Sequence, residues 1–315
     1  MSLSPAPFFA TIAHGPEGGA AHWTTTSDGI KIRIGHWPLQ AAKGTVLILP
    51  GRTEYIEKYG QIAASFAQRG LASASIDWRG QGLADRLLDN PLIGHVEHFS
   101  DYQKDVAALV RVARELDLPR PYFLLAHSMG AAIGLRAVME GLAVRSVAFS
   151  GPMWGIKIAP NLKPAAWALS NLMPRIGQGH RLPPGTRLEH HVLANGFEGN
   201  LLTRDRSQFD IMREQLTLHP ELVLGGPSFV WLREALIETR HLSNRGSPNL
   251  PCITFLGSNE RIVDVPAIKA RMSTWKNGEL QIIPEGEHEV LMENPEKTET
   301  LFDQMTEMFL QDSKF

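Results

Sequence analysis

The stretch Tyr122-Phe123-Leu124-Leu125-Ala126-His127-Ser128-Met129-Gly130 constrains the fold more than any other part of the chain. An apolar run ends in a serine framed by small residues and continues into Ala131, Ala132, Gly134 and Ala137. This pattern predicts a strand that turns sharply into a helix. Such a turn forces its central residue into a strained backbone conformation. The serine side chain then stands clear of the sheet, and the backbone N–H that follows points at whatever the side chain approaches. Helix and strand run close together, so the flanking residues must be small. The strict form of the turn has glycine two places before the serine; here Ala126 is larger by a methyl group.

A strand–helix turn of this kind needs a sheet around it, and the chain is long enough to supply one. Its 315 residues suit one large α/β domain with an insertion, or two domains. A hydrophobic fraction of 43% with 20% charged residues fits a globular protein with a sizeable core. A formal net charge of −2 leaves no basic footprint, so nucleic acid is not an expected partner. The single cysteine, Cys252, excludes an internal disulfide framework and a multi-cysteine metal site; within Cys252-Ile253-Thr254-Phe255-Leu256 it reads as an inert buried thiol. The start, Met1-Ser2-Leu3-Ser4-Pro5-Ala6-Pro7, lacks the basic and apolar regions of a secretory signal, and no run suggests a membrane span. A cytoplasmic protein is the expectation.

Strands alternate with amphipathic helices along the chain. Ile30-Lys31-Ile32-Arg33-Ile34 alternates with period two, as a half-buried edge or antiparallel strand does. Thr45-Val46-Leu47-Ile48-Leu49 is continuous and apolar, as in a strand covered on both faces. Tyr55, Tyr59, Ile62, Ala63 and Phe66 predict a helix stopped by Gly70; a strand near Leu71 to Ile76 and a helix from Tyr102 to Leu116 follow. After the turn comes another strand, Ser146-Val147-Ala148-Phe149. This order predicts an α/β fold, a mostly parallel sheet with helices on both faces. From residue 152 to 248 the rhythm breaks into prolines, tryptophans and short helical pieces, read as a mainly helical insertion that would form a cap. Residues 1–151 and 249–315 then form the two parts of the core, the second with a strand to Leu256, a helix, a strand Leu280 to Ile283 and a helix begun by Asn294-Pro295.

A serine hydroxyl attacks only when an imidazole takes its proton, and the imidazole needs a carboxylate to fix its tautomer. On a parallel sheet these partners follow the serine on loops at the carboxyl ends of later strands. One such loop is Gly257-Ser258-Asn259-Glu260-Arg261-Ile262-Val263-Asp264, and the next is Pro284-Glu285-Gly286-Glu287-His288-Glu289. Of the twelve histidines, His288 alone follows the last strand. Spacing puts Glu260 ahead as the acid, with Asp264 as the alternative. The backbone N–H groups of Met129 and of Arg52, in the loop after the early apolar strand, occupy the positions of an oxyanion hole.

On these residues the chain resembles the α/β-hydrolase superfamily, most closely the branch of bacterial lysophospholipases and monoglyceride lipases also described as serine aminopeptidase-like. Leu49-Pro50-Gly51-Arg52-Thr53-Glu54-Tyr55 is similar to that branch's oxyanion loop, with Pro50-Gly51 where other relatives have His-Gly. Asp77-Trp78-Arg79-Gly80-Gln81-Gly82 is similar to its Asp-x-Arg-Gly-x-Gly segment, and Ile93-Gly94-His95-Val96 and Phe99-x-Asp101-Tyr102 to lysophospholipase members. The resemblance implies an α/β-hydrolase fold and a serine esterase, with Ser128 as nucleophile, His288 as base and Glu260 as acid. Its substrate would be a small lipid-like ester, a lysophospholipid or a monoacylglycerol, with no cofactor or metal, and peripheral contact with the inner face of a membrane fits an apolar cap. Aminopeptidase, amidase or lactonase chemistry stays open, as does a non-catalytic ligand-binding homologue; Glu198, Asp205, Asp210 and Glu214 are carboxylates available to hold an amine.

Other residues have plainer expectations. His127 is read as structural and directed away from the pocket. His95 and His98, and the pair His190-His191, are read as solvated surface rather than metal ligands. Trp154, Trp167, Leu169, Leu172, Met173, Phe197, Phe209 and Trp231 are read together as an apolar lining for an acyl chain.

Overall fold

The fold is taken from a computed structural model, which describes residues 3–311. Met1 and Ser2, part of the start read above as leaderless, lie outside the described residues, as do residues 312–315. Among the described residues one sheet contains nine strands: β1 (Ser4–Ala6), β2 (Ala20–Thr25), β3 (Lys31–Trp37), β4 (Thr45–Leu49), β5 (Ala72–Asp77), β6 (Tyr122–His127), β7 (Val147–Ser150), β8 (Cys252–Gly257) and β9 (Gly278–Ile283). Their spatial order is β1-β2-β3-β5-β4-β6-β7-β8-β9. The strands from β5 to β9 in that order are parallel, while β1, β2 and β3 extend the sheet antiparallel.

The apolar run of β4 is a strand because both of its faces are covered. Leu47 and Leu49 share one face with Leu124 and Ala126 of β6, while Val46, Ile48, Phe123 and Leu125 share the other. This is the period-two alternation of a strand, with both sets apolar. The helices are α1 (Ala10–Ala13), α2 (Gly60–Gln68), α3 (Tyr102–Glu115), α4 (Ser128–Met139), α5 (Lys163–Arg175), α6 (His191–Ala194), α7 (Arg206–Leu218), α8 (Phe229–Ser243), α9 (Val265–Met272) and α10 (Pro295–Leu310). Helices α3, α4, α8 and α9 pack against the first face, and α2, α7 and α10 against the second. Asn294 caps α10 by accepting from the Glu296 N–H. Helices α5 to α8 lie in the chain between β7 and β8, with no regular strand among them.

One expectation changes in part. The alternating segment at 30–34 is antiparallel, pairing with both β2 and β5, but it is neither an edge nor half-buried, being buried after Lys31. Arg33 accounts for the misleading alternation. Its guanidinium is fully buried, held by Glu57 at 2.8 Å and Asp77 at 2.7 Å, so a charge that reads as solvent-facing is paired inside. Cys252, as expected, is buried in β8, and burial pushes its thiol up to about 12.

Candidate active site

Ser128 is the first residue of α4 and adopts a left-handed φ of 49°. A non-glycine residue there is strained, and the packing around it explains why the strain is held. A Cβ on Gly130 would come within 2.2 Å of the Leu49 carbonyl oxygen, so helix and sheet touch at the backbone. Ala126 fits where the strict pattern has glycine because Gly134 faces it; a Cβ on Gly134 would stand 3.3 Å from that of Ala126.

Three side chains lie in line. His288 Nε2 is 2.9 Å from Ser128 Oγ, and His288 Nδ1 is 2.6 Å from Glu260 Oε2. The carboxylate selects the tautomer protonated at Nδ1, which leaves Nε2 to accept the serine hydroxyl. Glu260 is itself held: its Oε1 accepts the N–H groups of Ile262 at 2.6 Å and Val263 at 3.1 Å. Burial works against this carboxylate. The hydrogen bond and charge of His288, with those two N–H groups, outweigh burial and hold it below the ordinary range. Asp264 does not reach His288. It caps α9, accepting from the Ala267 N–H at 3.3 Å.

Met129 follows the serine in α4, and Arg52 lines the same cavity as Ser128. Neither backbone N–H has an acceptor among the described residues. The Arg52 loop is braced from the segment after β5. Gln81 donates through Nε2 to the Gly51 carbonyl at 3.1 Å and accepts from the Thr53 N–H at 3.2 Å, and Trp78 Nε1 donates to the Pro50 carbonyl at 2.9 Å. The Asp77-to-Gly82 segment therefore shapes the loop without touching Ser128. Gly94 and His95 serve a second attachment. Ser228 at the start of α8 donates its N–H to the Gly94 carbonyl, and its hydroxyl is 2.8 Å from His95 Nδ1.

A group of buried charges beneath the serine was invisible in the sequence. Lys58 Nζ lies 2.5 Å from Glu54 and 2.6 Å from Glu289. Glu54 also accepts from Tyr59 Oη at 2.6 Å and from the Gly51 N–H, which ties the cluster to the Arg52 loop. His127 joins it, with Nε2 3.3 Å from Glu289 and Nδ1 3.0 Å from the Ser150 carbonyl. Burial disfavours the imidazolium of His127, but the Glu289 and Glu54 carboxylates outweigh burial and raise its pKa. Burial likewise opposes ionisation of Glu289, and the charges of His127 and Lys58 hold it well below the ordinary range. Glu54, His127 and Glu289 have the spacing of metal ligands, but the Lys58 ammonium already sits between the two carboxylates. The donor set therefore fits an ion-pair cluster rather than a metal.

The serine opens into a cavity of about 670 Å³. Apolar residues dominate its lining, among them Met153, Val192, Leu202, Phe209, Met212 and Trp231. Several expectations are corrected here. His127 does not point away but forms part of the lining. His95 and His190 are buried rather than solvated, and His190 caps α6 by accepting from the Val192 N–H at 3.2 Å. Of the eight residues read as an acyl lining, Phe209 and Trp231 line the cavity. Trp154 instead packs on Phe149 and Trp275, Phe197 packs on Phe209, and Leu169 and Leu172 face outward.

A mostly parallel sheet with a strained serine at a strand–helix turn, and a histidine and a carboxylate on later loops, defines an α/β-hydrolase fold. Residues 40–295 match the serine aminopeptidase S33 family, and the chain belongs to that family. It is 32% identical over 249 residues to lysophospholipase L2 of Escherichia coli K12, covering 76% of this chain and 70% of that protein. It is 27% identical over 260 residues to the probable lysophospholipase L2 of Haemophilus influenzae, covering 81% and 80%. Among solved structures, the fold is similar to a soluble variant of Saccharomyces cerevisiae monoglyceride lipase bound to a substrate analogue, with a TM-score of 0.69 at 20% identity over 98% of both chains.

Proposed function

We propose that this protein hydrolyses carboxylic esters of lipid-like substrates, lysophospholipids or monoacylglycerols, through an acyl-enzyme on Ser128. The observation that carries the reading is the Glu260–His288–Ser128 line opening into a largely apolar cavity. Ser128 Oγ attacks the ester carbonyl while its proton passes to His288 Nε2. The Arg52 and Met129 N–H groups stabilise the oxyanion, one donor being worth about 3 kcal/mol. His288 then gives the proton to the leaving alcohol, activates a water and returns the enzyme with release of the fatty acid. Glu260 holds the imidazole and offsets its charge at each stage.

Residues 152–248 act in this reading as a cap over the serine, and the similarity to the lysophospholipases supports a lipid-like acyl group. The carboxylates considered for an amine are poorly placed for a peptidase. Asp205 caps α7, Asp210 pairs with Arg206 at the surface, and neither they, Glu198 nor Glu214 line the cavity. Peripheral membrane contact is supported by Leu172 in α5 and by Leu162 and Ile176 at its two ends, which are 50%, 55% and 56% exposed. Among the described residues no helix is long and apolar enough to cross a membrane.

Covalent labelling by a fluorophosphonate, followed by intact mass, tests the nucleophile. One adduct on the wild type and none on Ser128→Ala is expected. A panel of lysophosphatidylcholine, monoacylglycerol and aminoacyl anilides then tests the substrate class, and turnover of the anilides alone would overturn the ester reading.

A further inference from the structure

Among the charged groups that line the cavity, Lys58 is held between Glu54 and Glu289, with His127 beside them. The Arg52 guanidinium differs: among the described residues it has no carboxylate within ion-pair distance. Its Nη1 donates to the Gly225 carbonyl at 2.7 Å, and its Cζ lies over Trp231, 5.7 Å from the ring centroid. Among the described residues that is the one hydrogen bond its guanidinium makes. Gly94 leaves room for this placement: a Cβ there would stand 3.3 Å from Arg52 Nη1. Burial without a compensating anion pushes Arg52 down to about 10, so it stays cationic at neutral pH.

A half-buried guanidinium that lines the cavity, is anchored at one nitrogen, lies over an indole and has no other hydrogen-bond partner among the described residues can receive an oxyanion in two-point fashion. We propose that the Arg52 side chain forms a phosphate subsite in the cavity, which selects esters whose leaving alcohol carries a phosphate. This rests on the ester reading above and names the group that would distinguish a lysophospholipid from a neutral glyceride. The same residue then serves twice, its backbone N–H at the oxyanion and its side chain at the headgroup.

The test compares lysophosphatidylcholine with a monoacylglycerol of the same acyl chain, using wild type, Arg52→Met and Arg52→Lys; all three retain the backbone N–H. The ratio of kcat/KM on the phospholipid to that on the glyceride is expected to fall at least about 10-fold in Arg52→Met, with Arg52→Lys between. An equal loss on both substrates would overturn the subsite, because a residue that merely shapes the loop or braces the cap would act on both. A second measurement does not depend on lipid turnover: sn-glycerol 3-phosphate and inorganic phosphate are tested against p-nitrophenyl butyrate hydrolysis. Competitive inhibition by glycerol 3-phosphate that weakens in Arg52→Met supports the subsite. Stronger inhibition by it than by inorganic phosphate points to a headgroup, and equal inhibition points to free phosphate. Absence of inhibition by either counts against the proposal. If the phosphates inhibit but neither lipid ester is hydrolysed, the subsite stands and the lipid-ester reading fails.

Discussion

Glu260 and Asp264 stand four residues apart on one loop, yet only Glu260 touches His288, at 2.6 Å, while Asp264 accepts from the start of α9. Glu260→Gln leaves the packing similar but removes the charge that orients and stabilises the imidazolium. Its kcat should fall about 10³- to 10⁴-fold. Asp264→Ala should leave kcat within about 3-fold and cost about 1 kcal/mol of stability, the ordinary value of a lost helix cap. Steady-state kinetics and denaturant unfolding on the two variants check the assignment, and the reverse pattern would make Asp264 the acid.

Gly130→Ala tests the close contact beneath the serine. The added methyl would meet two backbone carbonyl oxygens, of Leu49 at 2.2 Å and Pro50 at 2.4 Å, and neither is a movable side-chain end. A loss of about 1–3 kcal/mol is expected, with a fall in kcat because α4 and Met129 must shift. A variant with unchanged midpoint and kcat would mean that the turn is looser than the contacts indicate.

Lys58→Met removes the cation between Glu54 and Glu289 and leaves two buried carboxylates facing each other beside His127. Breaking such a cluster should cost about 3–5 kcal/mol. The double variant Lys58→Met with Glu54→Gln should recover part of it. Unfolding curves supply the check, and additive effects would argue against the coupling.

His36 predicts an acid-sensitive stability. It is buried in β3, stacked 5.2 Å from His22, and neither ring nitrogen has a partner among the described residues. Burial, helped by the nearby His22, pushes its pKa down to about 4 from 6.5. The unfolded chain therefore binds the extra proton between these values. The contribution is complete above pH 6.5 and is lost as pH falls toward 4, reaching about 3 kcal/mol. His36→Phe should flatten that part of the profile; an identical pH dependence in wild type and variant would refute the assignment.

The sequence disclosed what is written locally. Thr45–Leu49 is apolar at every position after Thr45 and reads directly as a doubly covered strand; Ser128 stands in its own turn, and Glu260 and His288 each follow a recognisable strand. What escaped depends on distant partners. Strand β2, Ala20–Thr25, has little apolar character and exists through its pairing with β3. Arg33 looks solvent-facing until Glu57 and Asp77 are brought to it. Lys58 and Glu289 are separated by 231 residues, so no local pattern could join them. The facing of α5 was not legible either, because Leu169 and Leu172 are apolar whether they turn to a cavity or away from it.

His288 donates its backbone N–H to the carbonyl of Leu201, and Glu289 donates to that of Leu202, so the loop bearing the imidazole is stitched to the chain between α6 and α7. That stitching makes the helical segment a supplier of parts rather than a detachable cover. A chimera that exchanges residues 152–248 for another helical segment would have to provide two acceptors at those points, or the loop that carries His288 would lose both backbone bonds. The support of the His288 loop and the segment between β7 and β8 are thus tied in one piece, and side-chain changes within that segment disturb the loop less than its replacement would.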